Sequence, residues 1–360
     1  MRQRRSIFPP EGSPPRFMMF VLALVLVAAP AALARRVRIA TFNVENGIGA
    51  PDSEKYQAQK AVLRRVDAEI VAFQELKRAS SNHWVRLAGE LGYPHHAWGE
   101  TGPFAGSMDL GFFSRHPILD IGPVVSPEGA SEFSRLPLRV RVHVPGAARP
   151  LVLWNIHHKA MFEARDDFRR AIEARRIADD VLRHFRERPD EVELVILGDM
   201  NDDPARPDQS RWFDSPPASL PRAYVLGADI SFPIHYRPFP LAAYTSVGPR
   251  FRPVRAFRQN SNIPITHFYT NLRLDWIFAG RAFWRHPDGP PTGEIYHSEW
   301  DAPEGGGLPK AGAPLPPETS LQASDHYIVF ADLNMEDAPP SEESRDDPVE
   351  SKGRGAANGN

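Results

Sequence analysis

The chain has 360 residues, enough for one large or two ordinary domains, and its 42% hydrophobic and 24% charged content is that of a soluble globular protein. It holds no cysteine, which excludes disulfides, a disulfide-linked partner and thiolate metal ligands; any metal must sit on oxygen or imidazole. A formal charge of −2 selects no class of partner, and 37 prolines with 25 glycines predict numerous loops.

The N-terminus reads as an export signal. Arg2, Arg4, Arg5 and Arg16 form a basic region, Phe17 to Ala29 is an uninterrupted apolar run, and Ala32-Leu33-Ala34 supplies a small-x-small pattern for cleavage after Ala34. An uncleaved membrane anchor is the alternative, although a spanning helix needs about 20 apolar residues. The mature protein is therefore expected to be secreted or periplasmic. At the other end, Glu336 to Asn360 has no aromatic residue and is rich in Pro, Ser and acids, which predicts a disordered acidic tail. Between them, residues 35–335 form one expected domain, read as a monomer.

Within that domain Val37 to Asn43 is β-branched and alternating, a strand, and Ser53 to Val66 carries a helical stripe with Ser53 as N-cap. Ile70 to Phe73 predicts a short buried strand running into Gln74-Glu75. Asn82 to Leu91 reads as a helix, then Leu110 to Phe113 and Ile118 to Val125 as successive strands. Leu136 to Val144 alternates apolar with basic residues, the pattern of an outer or edge strand. Leu151 to Ile156 is a strand leading to His157-His158-Lys159, and Asp166 to Arg188 is the clearest helix, apolar at Phe168, Ala171, Ile172, Ala178, Val181, Leu182 and Phe185. Leu194 to Leu197, Leu272 to Ala279 and His326 to Leu333 complete the strands. Strands outnumber helices and several are adjacent, so one domain of two packed sheets with outer helices is the simplest architecture.

The segment LVILGDMNDDP (194–204) ends a buried strand with Asp199 and Asn201 two residues apart, on one face of an extended chain. A carboxylate only accepts hydrogen bonds and a carboxamide also donates, so the pair can hold a water and a phosphate oxygen together. Taken alone, the segment reads first as turn chemistry after a strand. Similar polar residues recur at what read as C-terminal ends of core strands: Asn43, Glu75, His157, Asp275 and Asp325-His326. Asp275 lies among apolar neighbours and must be paired or functional to offset its burial. Oxygen-rich ligation without thiolate suits Mg²⁺, Mn²⁺ or Ca²⁺.

Seven motifs then fall into register: TFNVENG (41–47), AFQELK (72–77), GFFSRHPI (111–118), LWNIHHK (153–159), ILGDMNDDP (196–204), RLDWIFA (273–279) and SDHYIVFADL (324–333). In their order and content they resemble the endonuclease/exonuclease/phosphatase superfamily, in its deoxyribonuclease and neutral sphingomyelinase branch. The resemblance implies an α/β four-layer sandwich, with two mixed, mostly antiparallel sheets packed face to face and helices outside. It also implies a divalent-metal-dependent phosphoester hydrolase, with Mg²⁺ the first expectation. On this resemblance Glu75, Asn43 and Asp325 are the metal residues, and Asp199 and Asn201 position the water and a phosphate oxygen. His326 is held by Asp275, His157 is the leaving-group acid, and Asp109 is a candidate to orient it. General acid and base groups of this kind typically contribute about 10²- to 10⁴-fold each.

A nuclease is the expected activity; a phospholipase C-like or phosphomonoesterase activity and a non-catalytic binding protein are the rivals. Ile230 to Leu274 contains no acid, and its arginines include Arg250, Arg252, Arg255 and Arg258, interleaved with aromatics. Such a segment suits phosphate contact with base stacking, or a phospholipid headgroup surface. A solvated loop packed on its own aromatics is the plain alternative.

Overall fold

A computed structural model describes residues 35–99, 108–204, 210–237, 243–244, 248–302 and 306–338. The expected leader, 1–34, and the tail from 339 lie outside the described residues. In chain order the strands are β1 (Arg35–Asn43), β2 (Ile70–Leu76), β3 (His95–Trp98), β4 (Asp109–Ser114), β5 (Ile118–Pro123), β6 (Leu138–Val142), β7 (Leu151–His157), β8 (Leu194–Asp199), β9 (Arg211–Phe213), β10 (Ile234–Tyr236), β11 (Arg252–Pro253), β12 (Ala256–Arg258), β13 (Asp275–Ala279), β14 (Thr292–Ile295) and β15 (Val329–Met335). The helices are α1 (Glu54–Val66), α2 (Ser81–Glu90), α3 (Ala164–Glu187), α4 (Arg281–Trp284) and α5 (Thr319–Ala323).

One sheet of seven strands runs β12-β14-β15-β1-β2-β4-β3, and one of six runs β11-β13-β8-β7-β6-β5. The first sheet contains two parallel pairs, β1–β2 and β12–β14, and the second contains one, β7–β8; β1 connects to β2 through α1 and β7 to β8 through α3. The β1–β15, β2–β4, β8–β13 and β6–β7 pairs are antiparallel. Alternation sends Val37, Ile39, Ile70, Ala72 and Val329 from the first sheet against Val140, Leu153, Val195, Leu197 and Ile277 of the second, forming the central core. The opposite face of the first sheet packs Phe42, Val71, Phe73 and Phe330 on Val62, Leu63, Trp84 and Leu87 of α1 and α2. That of the second packs Trp154, Ile156 and Ile196 on Ala174, Ile177 and Val181 of α3. The expected four-layer sandwich is therefore the observed one.

Local sequence explains the edges of these elements. Ser53 caps α1 by accepting from the Tyr56 N–H at 3.2 Å, and α3 opens with a capping box between Glu163 and Asp166. Gly198, with φ +140°, is required inside β8: a Cβ there would lie 2.0 Å from the Ile156 carbonyl oxygen. The alternating Leu138–Val142 segment differs from its expected place at an edge, since β5 lies outside it. Its arginines turn outward to acids instead: Arg139 reaches Asp180 of α3 at 3.3 Å and Arg141 pairs with Glu191. Residues just past 335 are also held to the fold. Glu336 accepts from Ala148 N–H, and Asp337 bridges Ala147 and accepts from the Arg35 N–H.

Candidate active site

Register brings the predicted polar residues to one end of both sheets. Asn43 and Glu75 stand at the ends of the parallel strands β1 and β2, and His157 pairs with Asp199 across β7 and β8. Asp275 opens β13 rather than closing it, and Asp325-His326 precede β15, so the sequence expectation of strand C-termini is corrected for these three. Antiparallel pairing returns them to the same end, with Asp275 opposite Asp199.

Asp199 is the hub. Its Oδ2 accepts from Asn43 Nδ2 at 3.0 Å and lies 3.4 Å from His157 Nε2 and 3.9 Å from His326 Nε2, while Oδ1 accepts from the Asn201 N–H at 2.9 Å. Asn201 sits at φ +50° and donates its amide to the His158 carbonyl at 3.1 Å, which ties the loop after β8 to that after β7. His326 Nδ1 lies 2.8 Å from Asp275 Oδ2, and two backbone N–H groups, of Leu274 and Asp275, converge on the Thr266 hydroxyl. The Ser324 hydroxyl donates to the Asn43 carbonyl at 2.7 Å and accepts from the His326 N–H at 3.1 Å, fixing the start of β15 to the end of β1.

Glu75 is set by a backbone irregularity. The β2–β4 register shifts between Phe73 and Leu76, and Glu75 takes φ +61° there, an uncommon conformation for a residue with a side chain. One carboxylate oxygen accepts from Asn43 Nδ2 at 3.2 Å and the other from the Asn46 N–H at 3.1 Å. The bulge leaves carbonyls at Phe73 and Gly111 that Asn155, buried on β7, satisfies at 2.9 and 3.1 Å. Gln74 closes this inter-sheet network by donating to Asn155 at 2.7 Å. Sequence reading missed Asn155, although its place as the one amide within an apolar strand was a usable signal.

The electrostatics follow from burial and like charges. Burial disfavours a charge on His326, but Asp275, Asp199 and Asp325 outweigh it and hold the ring protonated well above the usual histidine range. Burial pushes the Asp199 carboxyl up, with Asp275 adding to the shift. His157 moves the other way: burial, then the charges of Arg135 and His326, hold it neutral, and its Nδ1 has no hydrogen-bond partner among the described residues. Burial lowers Lys55 too, which faces Glu45, Asp325 and Glu75.

The predicted residues are not all joined in the expected way. Asp109 accepts from Trp98 Nε1 at 2.8 Å and pairs with Arg78 at 3.3 Å, while His157 turns its Nε2 to Asp199 at 3.4 Å. Among the four arginines, Arg252 pairs with Ala279, at the far end of β13 from Asp275, and Arg258 stacks on Tyr327 at 4.7 Å. Arg250 and Arg255 flank β11 and are exposed. What supports the loops instead is Arg170, fully buried on α3, which donates to the Lys159 and Met161 carbonyls and pairs with Asp167. Tyr236 donates to Asp202, anchoring the β9–β10 hairpin on the loop that follows Asn201.

Two groups of His and acid atoms lie within 4.8 Å of one another among the described residues: His267, Asp325 and His326, and Asp199, Asp275 and His326. In the second, both ring nitrogens of His326 face carboxylates, Nδ1 at 2.8 Å from Asp275 and Nε2 at 3.9 Å from Asp199. Hard oxygen donors at Glu75 and Asp325 fit a divalent cation. Asn43 presents its N–H₂ group, not its carbonyl oxygen, to Glu75 and Asp199, so it fits a bridging donor better than a ligand.

Fold and site together define a phosphoesterase-type sandwich, with histidines and acids gathered where the two sheets meet. Residues 40–326 match the endonuclease/exonuclease/phosphatase family, and the chain belongs to it. Members of this family are generally hydrolases acting on phosphoesters. An endonuclease/exonuclease/phosphatase structure from Beutenbergia cavernae is 18% identical, with TM-score 0.54, over 85% of this chain and 73% of that one. ANGEL2, a 2′,3′-cyclic phosphatase in complex with adenosine-2′,3′-vanadate, is 13% identical with TM-score 0.52, over 84% of this chain and 96% of that one. D. rerio TDP2 complexed with single-strand DNA product is 15% identical with TM-score 0.51, over 83% and 99%. These likenesses show the fold. No curated protein sequence matches this chain.

Proposed function

We propose that this protein is an exported, divalent-metal-dependent phosphodiesterase whose substrate class is nucleic acid. The observation that carries the reading is the surrounding of Asp199: a buried carboxylate of raised proton affinity, 3.4 Å from one imidazole and 3.9 Å from another that Asp275 holds charged.

In this scheme Asp199 takes a proton from the attacking water as the new P–O bond forms, and Asn201 orients the loop that carries it. The His326 imidazolium faces the phosphate and stabilises charge developing on its oxygens. His157 gives its proton to the leaving oxygen as the old P–O bond breaks. That role requires the bound phosphate anion to raise the proton affinity of a ring that burial otherwise keeps neutral. A divalent ion, Mg²⁺ first and Mn²⁺ or Ca²⁺ as alternatives, held by Glu75 and Asp325, supplies neutralisation of phosphate charge when bound.

Structural neighbours solved with single-strand DNA and with an adenosine derivative motivate nucleic acid as the first substrate class to test. Exposed aromatics beside His267, Phe268 at 43% and Tyr269 at 73%, offer faces on which a base can stack. Export rests on the sequence of residues 1–34, and N-terminal sequencing of secreted protein checks it: a chain starting at Arg35 supports cleavage and one starting at Met1 contradicts it.

The test of activity is a panel of plasmid DNA, RNA, sphingomyelin and a chromogenic phosphodiester, each with Mg²⁺ or EDTA. Hydrolysis of nucleic acid that EDTA abolishes is expected. Turnover of sphingomyelin alone transfers the reading to a phospholipase C-like enzyme, and turnover of nothing favours a binding protein.

A further inference from the structure

His267 was not singled out by the sequence, yet its ring packs on that of His326 with centroids 4.6 Å apart, and its Nε2 lies 3.4 Å from Asp325 Oδ2. It belongs to a short hairpin closed by the bridge between His267 and Leu272 and tied to the start of β15 by two backbone bonds, Phe268 N–H to Asp325 O and Tyr327 N–H to Thr266 O. Proximity to Asp325 and His326 makes His267 look like the third ligand of a two-histidine, one-carboxylate metal site.

The hydrogen bonds of the ring argue otherwise. His267 Nδ1 lies 3.1 Å from the backbone nitrogen of Thr270 and 2.9 Å from its hydroxyl. A backbone N–H can only donate, so Nδ1 must offer its lone pair. The proton of the neutral ring then sits on Nε2, the nitrogen that faces Asp325. Turning the ring over would place carbon atoms at both positions and forfeit both contacts, so the orientation is fixed as well as the tautomer.

We propose that His267 is a positioning residue: its Nε2–H holds the Asp325 carboxylate in place at the candidate metal centre, and the ring ligates no metal itself. The role rests on the phosphodiesterase reading, in which Asp325 helps hold the ion. The hairpin 266–272 thereby links the exposed Phe268 and Tyr269 to a residue of the chemistry, so an object seated on those rings bears on the orientation of Asp325.

Two measurements on the full chain decide it. In ¹⁵N-histidine-labelled protein, long-range ¹H–¹⁵N correlation spectra are expected to show His267 as the Nε2–H tautomer, unchanged on titration with Mg²⁺. An Nδ1–H tautomer, or Nε2 losing its proton as the metal is added, overturns the proposal. Separately, the Mg²⁺ concentration for half-maximal hydrolysis of a chromogenic phosphodiester is measured in wild type, His267→Ala and His267→Gln. Glutamine places an N–H donor where Nε2 stands. His267→Ala is expected to raise that concentration about 10- to 100-fold, with His267→Gln restored to within about threefold of wild type. Equal loss in the two folded variants, or no loss in His267→Ala, also overturns it. A wild-type protein that hydrolyses no phosphodiester removes the phosphodiesterase reading, while the tautomer alone then decides the arrangement of His267.

Discussion

His326 Nδ1 and Asp275 Oδ2 lie 2.8 Å apart, and this pair joins the first sheet to the second directly at the candidate active site. Asp275 is the largest favourable influence on the His326 proton, against burial that opposes it. In Asp275→Asn the ring keeps a hydrogen-bonding neighbour but loses the charge. Its titration, followed by NMR, is expected to fall from well above the usual histidine range toward or below 6.5. The kcat is expected to drop about 10²- to 10⁴-fold. An unchanged titration contradicts the pairing as the source of the charge.

Gly198 is the position where β8 tolerates no side chain. Gly198→Ala would drive a Cβ to 2.0 Å from the Ile156 carbonyl oxygen, in a backbone conformation with φ +140°. A loss of about 4 kcal/mol or more is expected, seen as a large fall in Tm or as insoluble protein. A Tm within a few degrees of wild type contradicts the close approach of β7 and β8 that carries His157 to Asp199.

Asn155 joins the geometry of Glu75 to the inter-sheet core. Asn155→Leu removes the donors to the Phe73 and Gly111 carbonyls and the acceptor for Gln74. Each orphaned buried group costs about 1–3 kcal/mol, so a marked drop in the denaturation midpoint is expected. If the bulge relaxes as well, Glu75 moves, and the affinity for divalent ions measured by calorimetry weakens in the folded fraction. Unaltered stability and unaltered metal affinity together contradict the role assigned to the network.

Glu173 sets a pH limit on the fold. Burial raises its pKa, but the contact with His158, the charge of Arg169 and a hydrogen bond from Ser134 outweigh that and hold it down at about 2. Its folded value is depressed below its unfolded value of about 4.5. The stabilisation is therefore fully present above about pH 4.5 and is lost as pH falls toward 2. Chemical denaturation from pH 6 down to pH 2.5 should show wild type losing a few kcal/mol in that window. Glu173→Gln should start lower and lose less; an identical slope in both proteins contradicts the assignment.

Much of this architecture was legible because the relevant signals are local. The β-branched run before Asn43, the apolar run before Gly198 and the long stripe of α3 each encode their element without help from the rest of the chain. The candidate site was legible through motif order, since Asn43, Glu75, His157, Asp199, Asp275 and His326 do converge. What escaped was set by tertiary pairing. The short strands β9 to β12 have too few residues for a period to show, and the Arg139–Arg141 pattern looked like an edge because its acids come from α3 and the loop beyond it. The arginines of 250–258 formed a charge excess along the sequence, but Arg252 is registered with Ala279, which carries it away from Asp275. His267 has no sequence pattern of its own; only the hairpin and the backbone N–H of Thr270 give its ring a direction.

The central claim is that Asp199 works on a phosphodiester, and the most direct measurement compares wild type with Asp199→Asn in initial rate on a chromogenic phosphodiester with Mg²⁺. The amide keeps the size of the side chain but sets a donor against the N–H of Asn43 or Asn201, so some fall in Tm is expected and the rate is read on folded protein. The account predicts that kcat falls by about 10² or more while the protein stays folded; a folded Asp199→Asn protein with the wild-type rate would contradict it.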